Sequence, residues 1–194
     1  MCRWRTARNY LAGLVVGDGS LIEYKRTYNY YIEIYDADRE FLEKVAKEMK
    51  TNLKVNVKVM TVKNRNYAKL RISNKWLFTQ VKEAIKKRIE HPTKAFIRGI
   101  IDSEGTVYAD KKGRVAFEVA NTNKKVIDAV HKYLKKHKIH HTVTVHKGRG
   151  NRKTIYKVRI RGWNNVENLI KLISPKHPKV SLKFYKLIDA YRKP

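Results

Sequence analysis

The chain has 194 residues, enough for one substantial hydrophobic core or two small ones, and 42% of its residues are hydrophobic. Lys and Arg total 45 against 17 Asp and Glu, so the formal net charge is +28 and is spread along the whole chain. A charge of this size opposes a compact fold by self-repulsion and indicates a polyanionic partner, for which nucleic acid is the first candidate. The alternative is a ribosomal-type protein or a basic domain that is merely soluble.

Cysteine usage and hydropathy exclude several further classes. Cys2 is the only cysteine, which excludes an internal disulfide and a cysteine-based zinc site and is typical of a reducing compartment. No apolar run approaches the ~20 residues that a membrane span needs. Gly13, Gly17 and Asp18 interrupt the N-terminal apolar segment, which argues against a signal peptide. We expect an intracellular protein without a membrane partner, in the cytoplasm, the nucleoid or an organelle.

The same order of elements is predicted twice along the chain: helix, two strands, helix, two strands, helix. In the first copy, the patterns predict helices at 6–16 and at 74–88, and between them a helix that begins after a cap at Asp36 or Asp38. Strands are predicted at 20–28, 30–35, 54–62 and 67–73. In the second copy, they predict helices at 93–101, 164–173 and 180–191, and a further helix that begins after a cap at Asn121 or Asn123. Strands are predicted at 106–109, 114–120, 142–146 and 154–161. The dipeptide His91-Pro92 breaks the chain between the copies, so we expect halves at 1–90 and 94–194 with a short linker at 91–93.

The predicted fold class is α+β. Each copy is expected to form a four-stranded antiparallel sheet backed by helices, giving two pseudo-symmetric αββαββα halves that pack through their first helices. Along the strand at 67–73, apolar Ala68, Leu70 and Ile72 alternate with polar side chains. Because side chains alternate between the two faces of a strand, each sheet is predicted to have one apolar and one polar face.

The polar faces of the predicted sheets carry mainly cationic, hydroxyl, amide and aromatic side chains, which are the groups that contact phosphates and base edges. A glutamate on such a face could accept a hydrogen bond from cytosine N4, as we suggest for Glu23, Glu33 and Glu118. The alternative is a solvated face that is basic without a binding role. The candidate DNA-contacting residues are Lys25, Tyr31, Glu33, Tyr35, Asn56, Lys58, Tyr67, Lys69, Arg71, Arg114, Glu118, Thr142, Thr144, His146, Lys157, Arg159 and Arg161.

Two segments of the chain have the same design, LAGLVVGDG at 11–19 and IRGIIDSEG at 97–105. Each is an apolar helical segment with glycine at its third position, and each ends in an acid followed by glycine. Because Gly13 and Gly99 lack the side chain that would hold two helix backbones apart, we expect the segments to pack together with Asp18 and Glu104 at the same end. The first helix is expected to stop at Gly17, with Gly19 in the left-handed conformation just beyond it.

Paired acids at two helix C-termini predict a metal site. The exposed carbonyl groups there carry partial negative charge, so a carboxylate is unfavourable unless a cation compensates it. Mg²⁺ takes one or two carboxylates together with backbone carbonyls, water and substrate phosphate, and can activate water for phosphodiester hydrolysis. The alternative is that each acid-glycine pair is simply a turn after a buried helix, but two copies with an acid at the same position favour the metal site.

The two segments resemble the signature of the LAGLIDADG homing endonucleases, and the whole chain looks like a monomeric, two-motif member of the archaeal intron-encoded type. The first segment departs from the signature at Val16 and Gly17, and the second has Glu104 where the family usually has Asp. The matching residues of the first segment are Leu11, Ala12, Gly13, Leu14, Asp18 and Gly19.

The resemblance implies a saddle of two β-sheets in the DNA major groove, with the acids over the intervening minor groove. Asp18 and Glu104 would then bind Mg²⁺ (or Mn²⁺), with help from the carbonyl groups of Gly17 and Ser103. The expected reaction is hydrolysis of both strands of a long, asymmetric double-stranded target, leaving short 3′ overhangs. Two motifs in one chain imply a monomer.

The resemblance also implies supporting residues around the acids. Asp36 and Asn121 occupy the ends of the second strands, where relatives often place a glutamine near the attacking water; Asp36 is equally a candidate helix cap. A basic residue often assists in the transition state, and the candidates are Lys87, Arg88 and Lys176. The alternatives are an intron RNA maturase, with intron RNA as partner, and a non-catalytic DNA-binding protein on the same fold. The presence of both acids favours the enzyme.

Overall fold

A computed structural model describes residues 3–148 and 150–191 of the chain. The expectation about Cys2 and the outer limits of the two predicted halves lie outside these residues, as does Arg149. Within the described ranges, no helix has the length and apolar character needed to cross a membrane.

The elements follow the predicted order in both halves of the chain. The first half consists of α1 (Arg3–Asp18), β1 (Gly19–Tyr24), β2 (Asn29–Asp36), α2 (Arg39–Leu53), β3 (Val57–Thr61), β4 (Ala68–Ser73) and α3 (Lys75–Glu90). The second half consists of α4 (Lys94–Glu104), β5 (Gly105–Ala109), β6 (Val115–Asn121), α5 (Lys124–Lys136), β7 (Thr142–His146), β8 (Ile155–Arg161), α6 (Trp163–Ile173) and α7 (Ser181–Tyr191). The predicted linker falls between α3 and α4.

Each half contains one four-stranded antiparallel sheet, with strand order β1-β2-β4-β3 in the first and β5-β6-β8-β7 in the second. The register is equivalent in the two sheets, because Glu33 lies opposite Arg71 and Glu118 lies opposite Arg159. Helices back one face of each sheet, so the predicted α+β fold class is confirmed. On the opposite, polar faces, Lys69 and Arg71 of β4 and Lys157 and Arg159 of β8 stay partly exposed, and we refer to these as the uncovered faces.

The helix pair α1 and α4 forms the centre of the hydrophobic core. Leu11 and Leu14 of α1 and Ile97 and Ile100 of α4 are completely buried. A Cβ atom on Gly13 would lie 2.1 Å from the Phe96 carbonyl oxygen and 2.9 Å from the Gly99 Cα atom. The backbones therefore touch at these two glycines, as the sequence predicts.

The structure decides which residues cap the helices. Asp38 accepts a hydrogen bond from the Phe41 N–H at 2.9 Å and caps α2, and Asn123 caps α5 by accepting from Lys125 N–H. Asp36 and Asn121, the other two cap candidates, instead lie at the ends of β2 and β6. Their side chains are therefore available for another role.

Several predicted boundaries are wrong. The helix α1 continues through Gly17 to Asp18, and Gly19 begins β1 without a left-handed conformation. Glycine is needed at position 19 for close approach, because a Cβ there would lie 2.7 Å from the Glu33 carbonyl oxygen. Likewise α4 extends to Glu104, so both acids are the last residues of their helices.

Some candidate DNA-contacting residues lie outside the strands to which the sequence assigned them. Lys25 belongs to a short 3-10 turn (Lys25–Thr27) between β1 and β2, and Asn56, Tyr67 and Arg114 each precede the first residue of a strand. Arg114 pairs with Asp110 in the turn that joins β5 and β6. Isolated strand propensity overestimates strand length at turns, because pairing and twist decide where the ladder ends.

Candidate active site

The ends of α1 and α4 bring Asp18 and Glu104 together. A Cβ atom on Gly17 would lie 1.8 Å from the Ser103 Oγ atom and 3.1 Å from the Glu104 Cγ atom, so the last turns of the two helices are in contact. Ser103 points its hydroxyl back along its own helix, where it donates to the Gly99 carbonyl at 3.0 Å. The small residues at 17 and 103 thus allow the two acids to share one end of the helix pair.

Both carboxyl groups resist ionisation. Loss of hydration raises the pKa of Asp18, and the negative charge of Asp36 adds to this effect. Burial also raises the pKa of Glu104, and the charge of Asp18 raises it further. Lys179 opposes both shifts by stabilising the ionised forms. A cluster of this kind gains more from a bound cation than an isolated surface carboxylate does.

Asp36 and Asn121 support the two acids through equivalent turns. The Asn121 Nδ2 atom donates to Glu104 Oε1 at 2.6 Å, while Asn121 Oδ1 accepts from the backbone N–H at position 123 at 2.8 Å. In the first half, Asp36 Oδ1 accepts from the Asp38 N–H at 2.8 Å. Asn121 therefore contacts Glu104, and Asp36 lies close enough to Asp18 for its charge to raise the pKa of that acid.

His177 is a buried partner of Asp36 that the sequence analysis missed. It is only 3% exposed, and its ring stacks on Phe41 with 4.2 Å between the ring centroids. Its Nδ1 atom accepts from the Lys179 N–H at 3.1 Å, so Nε2 carries the hydrogen and donates to Asp36 Oδ2 at 3.1 Å. Burial by itself raises the pKa of Asp36, but the hydrogen bonds from His177 and the Asp38 N–H outweigh it and hold that pKa below its ordinary value.

Lys179 is the basic residue of this site. Its Nζ atom donates a hydrogen bond to the Ser103 carbonyl oxygen, and its charge lowers the pKa of Asp18, Glu104 and Asp36. The carbonyl that the sequence assigned to metal binding is therefore hydrogen-bonded to a lysine. A repeated His-Pro dipeptide, at positions 91 and 177, was the sequence signal that could have directed attention to this segment.

The structure does not bring the predicted basic residues to the acids. Arg88 lies 3.4 Å from Asn9 Oδ1, and Asn9 is about 13 Å along α1 from Asp18 at 1.5 Å per residue. Lys87 is the neighbouring residue on the same exposed end of α3. Lys176 pairs with Glu48 and lies over the ring of Tyr10, so its charge is used outside the acid pair. The prediction of these three residues is wrong because position along the chain, without packing, cannot place them.

A buried carboxylate fixes the segment that carries His177 and Lys179. Asp102 is completely buried and accepts hydrogen bonds from Tyr10 Oη at 2.8 Å, from the Lys176 N–H at 2.8 Å and from the His177 N–H at 3.0 Å. Tyr10 belongs to α1 and Asp102 to α4. This cluster therefore ties the connection between α6 and α7 to both helices of the central pair.

The acid pair fits a hard divalent cation in its donor chemistry. No hydrogen-bond donor among the described residues reaches the Asp18 carboxylate, and Glu104 accepts one hydrogen bond, from Asn121. Free carboxylate oxygens at two helix C-termini are the ligands that Mg²⁺ prefers. Across residues 3–148 and 150–191, no three His, Cys, Asp or Glu side chains form a cluster that could hold a metal ion, so such an ion would need backbone, water or substrate oxygens as well.

The uncovered faces of the two sheets carry the predicted cationic residues. In β4, Lys69 and Arg71 are partly exposed, and in β8 Lys157 and Arg159 are partly exposed, while the alternating apolar residues are buried. Alternation places Glu23 on the side of Leu21, so the expectation that it lies on the polar face is wrong. The other candidates that lie on strands of the two sheets and are partly or fully exposed are Tyr31, Tyr35, Lys58, Thr142, Thr144, His146 and Arg161.

Glu33 and Glu118 do not project outward from these faces. Glu33 is 1% exposed and accepts from Arg71 Nε at 2.6 Å, from Lys69 Nζ at 3.2 Å and from the Tyr35 hydroxyl. Glu118 accepts from Lys157 Nζ and Arg159 Nε, each at 2.8 Å. The expectation that Glu33 contacts cytosine is wrong, because its carboxylate is buried under its own cationic partners.

Family models match both halves of the chain. Residues 92–174 match the LAGLIDADG-like domain, and residues 7–76 match the WhiA LAGLIDADG-like domain. The chain is similar to two uncharacterized proteins of Methanocaldococcus jannaschii. It is 30% identical to MJ0398 over 152 residues, which are 76% of this chain and 54% of that protein, and 29% identical to MJ0314 over 151 residues, which are 69% and 55%. The chain thus spans about half the length of these relatives.

Solved structures of LAGLIDADG proteins have the same fold. A structure from a study of mesophilic variants of the homing endonuclease I-DmoI matches with a TM-score of 0.68 at 23% identity, over 90% of this chain and 98% of that one. The N-terminal LAGLIDADG domain of WhiA matches with a TM-score of 0.60 at 16% identity, over 88% and 83%. The LAGLIDADG homing endonuclease I-LtrWI, bound to target DNA, matches with a TM-score of 0.57 at 14% identity, over 95% and 88%.

The fold and the matches together define the class of protein. Two stretches of the chain match models of LAGLIDADG-like domains, and the chain has the two-domain LAGLIDADG fold, with two four-stranded sheets on either side of the central helix pair. Structures of I-DmoI have been solved in complex with DNA and Mn, with target DNA and Mg, and with DNA and Ca.

Proposed function

We propose that this chain is a homing endonuclease that cuts both strands of a long, asymmetric double-stranded DNA site. The observation that carries the proposal is the placement of Asp18, Glu104 and Lys179 at one end of the central helix pair, between two cationic sheet faces. The sheets would bind the major groove, and the acids would act across the intervening minor groove. A DNA target of this kind also implies an intracellular site of action.

The metal in this proposal is Mg²⁺ or Mn²⁺, held by Asp18 and Glu104 with the Gly17 carbonyl. When bound, the ion would lower the pKa of a coordinated water and stabilise negative charge on the phosphodiester oxygens. Burial and the neighbouring acids raise the pKa of both carboxyl groups, and a bound divalent ion would reverse this effect by stabilising the ionised pair.

The neighbouring residues of the site divide the remaining tasks. Asp36, kept ionised by His177, and Asn121 would orient water at the ends of β2 and β6. Lys179 would stabilise negative charge that develops on the scissile phosphate. The Ser103 carbonyl would hold the Lys179 ammonium group, and its second lone pair would stay available for the metal contact that the family resemblance implies.

The chain supplies both halves of this site and is proposed to act as a monomer. Each half contributes one acid and one supporting polar residue, and the helix pair between them is buried in a single core. A single-motif chain would need a second copy to reach the same arrangement.

A second candidate is a protein that binds DNA on the same fold and does not cut it. The match of residues 7–76 to the WhiA LAGLIDADG-like domain favours this candidate. The two candidates differ in what Asp18 and Glu104 do: in the enzyme they hold the metal, and in the binding protein they only end their helices.

The experiment that separates these candidates is incubation of the purified chain with DNA that carries the uninterrupted host gene, in Mg²⁺ or in EDTA. The enzyme is expected to cut both strands at one locus in Mg²⁺ and to bind without cutting in EDTA. The double variant Asp18→Asn, Glu104→Gln is the matched control and should bind without cutting in either buffer. Tight binding with no cleavage in any divalent ion would support the second candidate, and an absence of specific binding would overturn both.

A further inference from the structure

Glu33 and Glu118 occupy equivalent positions at the centre of the two sheets. Glu33 is paired across β2 and β4 with Arg71, and Glu118 is paired across β6 and β8 with Arg159. Each glutamate also holds a lysine from the same strand as its arginine, Lys69 or Lys157. The same arrangement of one acid and two cations therefore occurs once in each half.

Each carboxylate occupies one particular edge of its arginine. Arg71 directs Nε and Nη2 toward Glu33 Oε1, at 2.6 and 2.5 Å, and Arg159 directs Nε and Nη2 toward Glu118 Oε2, at 2.8 and 2.6 Å. Among the described residues, no acceptor contacts the Nη1 atom of either arginine. Because a guanidinium group is a rigid planar fork, fixing the Nε–Nη2 edge leaves the Nη1–Nη2 end oriented outward with two parallel donors.

The surroundings of these pairs keep the arginines in place. The Arg71 guanidinium carbon lies 4.6 Å from the centre of the Tyr31 ring, so one flat face of the group is covered. The Arg71 and Arg159 side chains are 35% and 31% exposed, which leaves their outer ends accessible from the uncovered side of each sheet. Hydrogen bonds from Tyr35, Arg71 and Lys69 outweigh burial and lower the pKa of Glu33. Hydrogen bonds from Lys157 and Arg159 do the same for Glu118, so both glutamates remain ionised.

We propose that Glu33 and Glu118 are positioning residues for specificity, each holding one arginine so that its outward end reads a guanine in the major groove. Two parallel donors match the O6 and N7 acceptors of guanine, the pairing that arginine makes most specifically. The target would then present a guanine to Arg71 in one half-site and to Arg159 in the other. This inference rests on the proposed DNA-binding function and adds the base and the residues that read it.

The carboxylates have a second effect on binding, through charge. Each one neutralises a lysine that would otherwise be available to any phosphate. A Glu→Gln change at either position is therefore expected to free that lysine, to strengthen binding to unrelated DNA, and to steepen the dependence of log K on log salt by about 0.9 for each added phosphate contact. Specific and non-specific binding should thus move in opposite directions.

The test is selection of bound sites from a randomised duplex DNA pool by the full chain in EDTA, followed by salt-dependent binding to selected and unrelated duplexes. We expect the wild-type chain to select a guanine in each half-site. Arg71→Lys, which keeps the charge and loses the fork, should lose the preference in one half-site only, by roughly 5- to 100-fold. Arg159→Lys should do the same in the other half-site.

The glutamate variants then test the positioning role. Glu33→Gln and Glu118→Gln should each weaken guanine preference in the same half-site as the arginine that it holds, while binding to unrelated DNA strengthens. Glu23→Gln makes the same charge change on the other side of the sheet, and it should alter neither the guanine preference nor the binding to unrelated DNA. Since Glu33 is buried, thermal unfolding checks that its variant folds, and the more exposed Glu118 repeats the test in the second half.

The outcomes for the inference and for the proposed function are distinct. If the wild-type chain enriches no sequence, the proposed DNA function itself fails. If it enriches sites without guanine in the two half-sites, or if the Arg→Lys or Glu→Gln variants keep the wild-type preference, the positioning role is overturned while the DNA function stands.

Discussion

The ammonium group of Lys179 donates a hydrogen bond to the carbonyl oxygen of Ser103, the residue immediately before the acid Glu104. This contact joins the segment between α6 and α7 to the end of α4. It also places one positive charge where it acts on Asp18, Glu104 and Asp36 together.

Lys179→Met is expected to lower the rate of DNA cleavage by roughly 10²-fold or more, because it removes a positioned charge from the site of phosphodiester hydrolysis. Binding to target DNA in EDTA should change much less, since the sheet faces carry most of the contacts. The matched control is Lys176→Met. Lys176 lies three residues before Lys179 in the chain and pairs with Glu48 instead of with the acid pair. Single-turnover cleavage assays compare the two, and a larger loss in Lys176→Met would contradict the assignment.

Asp18→Asn and Glu104→Gln are each expected to abolish cleavage of both strands and leave target binding within roughly tenfold, because phosphate and base contacts on the sheets carry affinity. Gel-shift and cleavage assays on the same duplex test this. Normal cleavage by either variant would show that the acid pair is not the catalytic centre.

The same two substitutions should also stabilise the free protein at pH 7. A carboxyl group whose pKa is raised by folding costs stability above its ordinary pKa, where the folded state must keep it ionised. The amide variants remove this cost, so their melting temperatures should exceed the wild-type value at pH 7. The difference should shrink as pH falls through the raised folded pKa values and vanish below the ordinary carboxyl pKa. Asp110→Asn is the control with the opposite sign, because hydrogen bonds from Arg114 lower the pKa of Asp110.

Gly13→Ala is expected to destabilise the fold by about 1–3 kcal/mol, the usual range for overpacking a core. The new Cβ would lie 2.1 Å from the Phe96 carbonyl oxygen, so α1 and α4 would have to separate. Helix propensity alone predicts the reverse, a gain of about 1 kcal/mol for glycine to alanine inside a helix. The sign of the change in the free energy of unfolding, measured by urea denaturation, therefore separates the two expectations. A more stable variant would contradict close contact between the two helix backbones.

Stability in acid tests the glutamate on the second sheet. The pKa of Glu118 is lowered by its cationic partners, so its contribution to stability is present above the ordinary glutamate pKa and disappears as pH falls through the lower folded value. Wild-type protein should be more stable than Glu118→Gln at pH 7, and the two should converge in acid. A difference that persists unchanged at low pH would indicate a packing effect instead of an ionic one.

The sequence predicted the fold class and the acid pair because both depend on local patterns. Alternation of apolar and polar residues in the strands predicted one apolar and one polar face for each sheet. The repeat of an apolar segment that ends in an acid and a glycine predicted the packed helix pair. Gly13 and Gly99 could be assigned to a close helix contact because glycine in a buried helix has few other uses. Helix ends were less predictable, since Gly17 and Gly19 signal a stop in isolation while packing continues α1 to Asp18.

His177 and Lys179 escaped prediction because their role arises from contacts far apart in sequence. The His177 N–H reaches Asp102, 75 residues earlier, and its ring reaches Asp36 in the other half of the chain. Nothing in the local pattern of residues 174–180 carries information about those partners. The family resemblance implied a basic residue near the acids, but the choice among many lysines and arginines required knowledge of where each one packs.

The sequence by itself determined a repeated α+β architecture, a large positive net charge and an acid at the end of each of two equivalent helices, because charge and periodicity can be read from the chain without its fold. The tertiary structure alone decided which lysine lies beside those acids and which cations pair with the two glutamates on the sheet faces. On the sheet face, alternation put Glu33 beside cations, and only the cross-strand register buried it beneath Arg71. Register and helix packing are collective properties of the folded chain, and they select one partner for each side chain from the several that the sequence allows.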